Sequence, residues 1–179
     1  MIRARKVAAS VAVVALSLVS TGRIYAAGAG PLEGKKAFEL LKGLAGQWTD
    51  PEAKPGAPGP VKSIQFMIAS GGTVVEEVQF PGSPHEMRSL YYMEGNDLVM
   101  THYCGIGNQP HMRLDTAKST PSQLVFDFVS GTNMDPAKDL HVHSGWIKPD
   151  GGDRLEAEWT VYSAAKPAGS HHFSLTRAR

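Results

Sequence analysis

Arg154–Tyr162 reads RLEAEWTVY. Leu155, Ala157, Trp159 and Val161 fall on one parity of this stretch, and Glu156, Glu158, Thr160 and Tyr162 on the other. Successive side chains of a strand point to opposite faces, so the pattern predicts a strand with one dry face and one wet face. Leu124, Phe126 and Phe128 repeat it against Asp127. Working outward, similar segments fall at residues 47–49, 61–69, 73–80, 86–93, 98–104, 111–115, 123–129, 141–147 and 171–177. Between them lie turn signals such as Ser70-Gly71-Gly72, Pro81-Gly82-Ser83-Pro84, Glu94-Gly95-Asn96-Asp97 and Ser119-Thr120-Pro121-Ser122. Strands joined by hairpin-length turns predict an all-β antiparallel meander. A meander of this size hides its edges by closing into an up-and-down barrel of about 8 to 10 strands.

Upstream of the strands, Leu32–Leu44 (LEGKKAFELLKGL) spaces Phe38, Leu40, Leu41 and Leu44 at helical intervals and predicts one short amphipathic helix, stopped near Gly43 and Gly46. Two irregular stretches, residues 50–60 with four prolines and residues 130–139, read as surface connections or as lids over a barrel mouth, the plain connection being preferred. No internal repeat and no second domain is visible, so residues 28–179 form one barrel domain.

The charge is divided unevenly along the chain. Of the 18 Lys and Arg residues, Arg3, Arg5, Lys6 and Arg23 lie in the first 26 positions, which hold no acid. The remainder carries 14 basic against 17 acidic side chains, a formal charge of −3. A weakly acidic domain offers no electrostatic footprint for nucleic acid or anionic membrane. The basic leader is followed by an apolar run, Val7–Val19, of 13 residues, short of the roughly 20 needed to span a bilayer. Residues 1–27 therefore read as a secretory signal peptide, cleaved between Ala27 and Gly30, with a periplasmic or secreted product and no membrane span after cleavage. Cys104 is the only cysteine, so no internal disulfide forms.

The order of short helix, Gly46-Gln47-Trp48, meander strands and a last strand ending Leu175-Thr176-Arg177 resembles the calycin group of lipocalins, fatty-acid-binding proteins and nitrobindin-like barrels. That resemblance implies an indole at Trp48 packed across the barrel floor under the Arg177 guanidinium, with Gly46 and Trp48 as the remaining signature positions. Stretches 98–112, 126–133, 141–143 and 158–160 are similar to uncharacterised exported bacterial lipocalin-like proteins, which bring no activity with them. That family usually carries Arg after Gln-Pro, where this chain has His111.

Several candidates for chemistry remain open on sequence. Met100, His102 and Cys104 alternate along one strand, about 7 Å apart per two residues, and their soft or borderline donors suit copper or zinc. His141 and His143 share a face in the same way. His171 and His172 stand on the closing strand, where the nitrobindin resemblance implies a haem ligand, though only one of two adjacent strand residues points inward. A catalytic reading would pair Cys104 as nucleophile with His102, His111 or His143 as base, but it lacks a helix N-terminus to lower the thiol pKa. The preferred reading is non-enzymatic and cofactor-free: a small apolar or amphipathic molecule is the partner, bound inside the barrel. Strand parity assigns Trp48, Phe66, Tyr91, Met100, His102, Cys104, Phe126, Phe128, His143 and Trp159 to the interior. A barrel filled by its own side chains, acting as a structural or interaction module, is the competing class. Oligomeric state is not encoded in any of these features.

Overall fold

The structure is a computed structural model, and it describes residues 31–54, 61–149 and 152–178. The expected signal peptide and its cleavage point lie outside the described residues. The described residues build one α-helix, α1 (Gly34–Lys42), and ten strands: β1 (Gly46–Thr49), β2 (Ser63–Ala69), β3 (Val74–Gln79), β4 (Met87–Glu94), β5 (Asp97–Tyr103), β6 (Gln109–Leu114), β7 (Leu124–Thr132), β8 (His141–Pro149), β9 (Arg154–Ser163) and β10 (Lys166–Arg177). Each strand pairs antiparallel with its sequence neighbour, and β1 pairs with β10, closing the barrel. The expected all-β meander and its closure are thus both present.

The helix is shorter than the expected 32–44. Gly43 ends it by donating its N–H to the Glu39 and Leu40 carbonyls, and Leu44 turns back onto Leu41. Its buried face, Ala37, Phe38 and Leu41, lies against β2, β4 and β5 at one end of the barrel. Gly34 makes this docking possible. A Cβ there would stand 2.5 Å from the Asn96 carbonyl oxygen and 2.7 Å from the Leu98 nitrogen.

The barrel has two unlike halves. At the helix end, Trp48, Leu98, Leu114, Leu124, Ile147, Leu155 and Leu175 are all buried and pack with the helix face. Each such side chain contributes about 1.5 to 3 kcal/mol on leaving water. Across the middle, Tyr91, Phe126 and Trp159 form a row of rings, with centroids 5.5 and 6.4 Å apart. The row needs Gly145: a Cβ at that position would lie 2.1 Å from the Trp159 ring. The half away from the helix holds the buried polar residues Glu77, Gln79, Ser89 and His102.

The closing strand departs from expectation. It begins at Lys166 rather than His171, because Ala164 and Ala165 both adopt positive φ, 50° and 58°, and make a tight hairpin with β9. Lys166-Pro167-Ala168-Gly169-Ser170 has loop composition, yet it pairs with β9 around an irregularity between Pro167 and Gly169. Pro167 is tolerated because β1 reaches only Thr176 and Arg177 on the other flank of β10, so this part of the strand is an edge. The seam there is held by Phe80 packed on Phe173 at 5.6 Å and by Lys62 Nζ donating to the His172 carbonyl at 2.9 Å.

Candidate functional site

The polar half of the interior is built by strand register. Glu77 of β3 stands beside Ser89 of β4, and Ser89 beside His102 of β5. Glu77, Ser89 and Tyr91 are fully buried, and His102 is 2% exposed. Gln79 Nε2 donates to Glu77 Oε1 at 2.8 Å, and the Tyr91 hydroxyl donates to Glu77 Oε2. Ser89 Oγ lies 3.0 Å from His102 Nδ1. Two hydrogen-bonded groups therefore stand side by side in this half: Ser89 with His102, and Tyr91 and Gln79 with the carboxyl group.

Burial dominates the ionisation of these groups. It pushes the Glu77 carboxyl up, against the opposing hydrogen bonds from Tyr91 and Gln79. It also raises the Tyr91 phenol well above its ordinary range, with the charge of Glu77 acting in the same direction. Burial alone lowers His102 to about 4, so its imidazole is neutral near pH 7. Two atoms of this interior find no hydrogen-bond partner among the described residues: His102 Nε2 and Trp159 Nε1. Trp159 is 3% exposed. Leaving a buried polar atom unpaired costs about 1 to 3 kcal/mol, so two on inward-facing side chains form a specific feature of the fold.

A second cluster lies toward the same end, on β7, β8 and β9. The His143 ring stacks on Tyr162 at 3.9 Å and on Phe128 at 5.0 Å. His141 Nδ1 lies 2.9 Å from the Asp139 carbonyl oxygen, and His141 Nε2 lies 3.0 Å from His143 Nδ1. A carbonyl only accepts, so His141 carries its proton on Nδ1. Burial and the neighbouring His141 hold His143 below its ordinary pKa, while Asp127 opposes them.

Of the residues assigned to the interior from sequence, Trp48, Phe66, Tyr91, Met100, His102, Phe126 and Trp159 are buried, and Cys104, Phe128 and His143 are half-buried. Cys104 lies just past β5, in a turn closed by bonds to Asn108 and Gly107. Its sulfur faces Met87 Sδ at 4.0 Å, whereas the His102 ring engages Ser89. The Met100, His102 and Cys104 set therefore does not converge on one point. Among the described residues, no group of three or more His, Cys, Asp or Glu side chains is placed to hold a metal ion. His171 and His172 are both exposed. His171 pairs with Trp159, and the His172 ring lies against Trp146 on the other face. His111 bonds Thr101 at 3.2 Å and stands 3.8 Å from Glu94.

Glu77, Gln79 and Ser89 were not selected on sequence. In Val74–Gln79, VVEEVQ, both parities mix apolar and polar residues, so alternation carries no signal. The one available clue was Ser89, two positions before Tyr91 on a strand whose inner parity also includes Met87 and Met93.

At the floor, Arg177 lies over the Trp48 ring, with its guanidinium carbon 4.2 Å from the centroid. It also donates to the carbonyls of Ala45 at 2.7 Å and Gly43 at 3.3 Å, while Trp48 Nε1 donates to Leu44 at 2.8 Å. Gly46, at φ 129°, admits this approach, since a Cβ there would stand 2.9 Å from the guanidinium. This arrangement and the closed antiparallel topology are consistent with a calycin-like barrel. No family model, no curated protein and no solved structure matches the chain.

Proposed function

We propose that this chain is an exported, non-enzymatic barrel of calycin type that receives a small apolar or amphipathic molecule in the polar half of its interior. One observation carries the reading: His102 Nε2 and Trp159 Nε1 are buried, inward-facing and unpaired. Binding sites join apolar walls to a few oriented polar groups, and here Phe126 and Met100 supply the wall beside His102. Met87, Met93, Met100 and Met112 occur along the same strands, and thioether side chains repack to admit a guest. Export is supported by the basic leader and apolar run of residues 3–19.

Native mass spectrometry of the protein purified from its source tests the proposal. The expected spectrum carries a mass increment that denaturation releases as a small molecule. A spectrum of the bare chain alone would count against a carrier.

A second reading, a filled barrel serving as a structural or interaction module, is favoured by a specific observation. Tyr91, Met100, Met112 and Phe126 have no accessible surface, so no water-sized space adjoins them. Hollows of about 580, 290 and 580 Å³ all lie at or outside the wall, lined by residues such as Glu156, Leu40 and Tyr92. The two readings separate on guest uptake. A carrier repacks its methionines to accept a ligand, and a filled module excludes one.

A further inference from the structure

We propose that His141 and His143 form a two-nitrogen binding site for a divalent copper ion at the end of the barrel away from the helix. The site is independent of the guest reading above and uses none of its residues.

Position along the strand brings the two rings together. His141-Val142-His143 opens β8, and residues two apart on a strand share a face. The register of β8 against β9 shifts between Val142 and Ser144, and an irregularity of this kind re-aims the side chain it carries. His141 Nε2 and His143 Nδ1 end 3.0 Å apart. Each ring is also fixed by its own surroundings. His141 is 1% exposed and donates Nδ1–H to the Asp139 carbonyl at 2.9 Å, the backing that metal-bound imidazoles commonly have, while its Nε2 faces the neighbouring ring. His143 lies nearly parallel to Phe128 and Tyr162, at 18° and 16°, which sets the plane of its ring. It is half-buried, so this side of the pair reaches solvent.

The separation selects the ion. Two imidazole nitrogens at about 2.0 to 2.1 Å from one ion stand about 2.9 Å apart when the bonds meet at a right angle, and about 3.3 to 3.4 Å apart in a tetrahedron. The observed 3.0 Å fits the right-angle pair of a tetragonal ion. Imidazole donors in that geometry favour copper(II), which also heads the affinity order of the divalent first-row ions. The hydrogen bond between the rings holds one proton. On coordination it leaves for the remaining nitrogen of His143 or for water, and the two lone pairs turn from each other toward the ion. Among the described residues no third His, Cys, Asp or Glu joins the pair, so water completes the coordination.

The test adds copper(II) or zinc(II) chloride to the untagged protein at pH 7, with affinity read by calorimetry and the copper site by electron paramagnetic resonance. The expected result is one tightly bound copper per chain, at least tenfold tighter than zinc, with an axial spectrum split by two imidazole nitrogens. His143→Phe keeps a ring between Phe128 and Tyr162 but removes the nitrogen, and should weaken copper binding at least tenfold while circular dichroism stays that of wild type. The double change His171→Gln and His172→Gln, on the exposed pair of β10, should leave binding unchanged. NMR of the wild-type protein needs no variant: substoichiometric copper should broaden the His141 and His143 amide signals before those of His171 and His172. The reverse order of broadening, copper binding that survives His143→Phe, binding lost with the β10 pair, zinc bound as tightly as copper, or no binding at all overturns the inference.

Discussion

Acid should destabilise this protein through one buried imidazole. His102 titrates at about 4 in the folded chain, because burial penalises its charged form, and at its ordinary 6.5 once unfolded. Between those values the unfolded chain binds a proton that the folded chain refuses. Stability from His102 is therefore fully present above pH 6.5 and is lost as pH falls towards 4. At 1.36 kcal/mol per unit of pKa, the gap amounts to about 3 kcal/mol. Glu77 acts with the opposite sign. Its folded pKa is raised, so the folded chain holds a proton more tightly than the unfolded chain, and stability from that source is lost as pH rises above 4.5. The two groups flank Ser89 on neighbouring strands, so their effects are not additive, and the comparison must be differential. His102→Gln removes the titration and keeps an amide within reach of Ser89. Urea unfolding of both proteins, followed by circular dichroism in half-unit steps from pH 7 to 4, gives the two stability curves. The wild-type protein should lose about 3 kcal/mol more than the variant over this range. Parallel curves would refute the claim that His102 is buried as a neutral ring.

Glu77→Gln keeps the partners Tyr91 and Gln79 but removes the buried charge, so the variant should gain stability relative to wild type as pH rises from 5 to 8; an unchanged difference across that range contradicts the placement of Glu77. Gly145→Ala drives a methyl into the Trp159 ring and should cost about 1 to 3 kcal/mol in urea unfolding. An unmoved midpoint would mean that the indole does not lie across β8. Arg177→Ala removes the guanidinium from the Trp48 ring and two carbonyl bonds, together about 2 to 3 kcal/mol, and Arg177→Lys should recover only part of this. Full recovery by Lys would show that charge alone matters there. Cys104→Ser should change stability by less than about 0.5 kcal/mol, since the thiol faces only Met87 across 4.0 Å. A large loss would place the sulfur in the core.

Legibility in the sequence followed the clarity of local pattern. The alternation of Leu155, Ala157, Trp159 and Val161 gave β9 directly, and Gly or Pro clusters gave most turns. It failed at Lys166–Ser170, where pairing with β9 overrides loop composition, and at Ala164-Ala165, where two alanines take a conformation usually left to Gly or Asn. Parity brought Met100 and His102 to notice, because β5 presents them beside Leu98 in a regular alternation. It passed over Glu77 because both faces of β3 mix apolar and polar residues. It passed over Gly145 because a glycine that makes room for a ring 14 residues away leaves no local trace.

The sequence by itself determined the all-β meander, the short leading helix, the separation of a basic leader from an acidic remainder, and the absence of any internal disulfide. All of these are set by neighbours within a few residues, through alternation, turn chemistry and composition. Only the tertiary structure decided that Glu77, Ser89 and His102 share one level of the barrel and that Tyr91 bonds a carboxyl group 14 positions away. Those relations depend on strand register and closure, which place distant residues side by side. The unpaired, buried Nε2 of His102 follows from them, since it exists only once the chain has been folded around it.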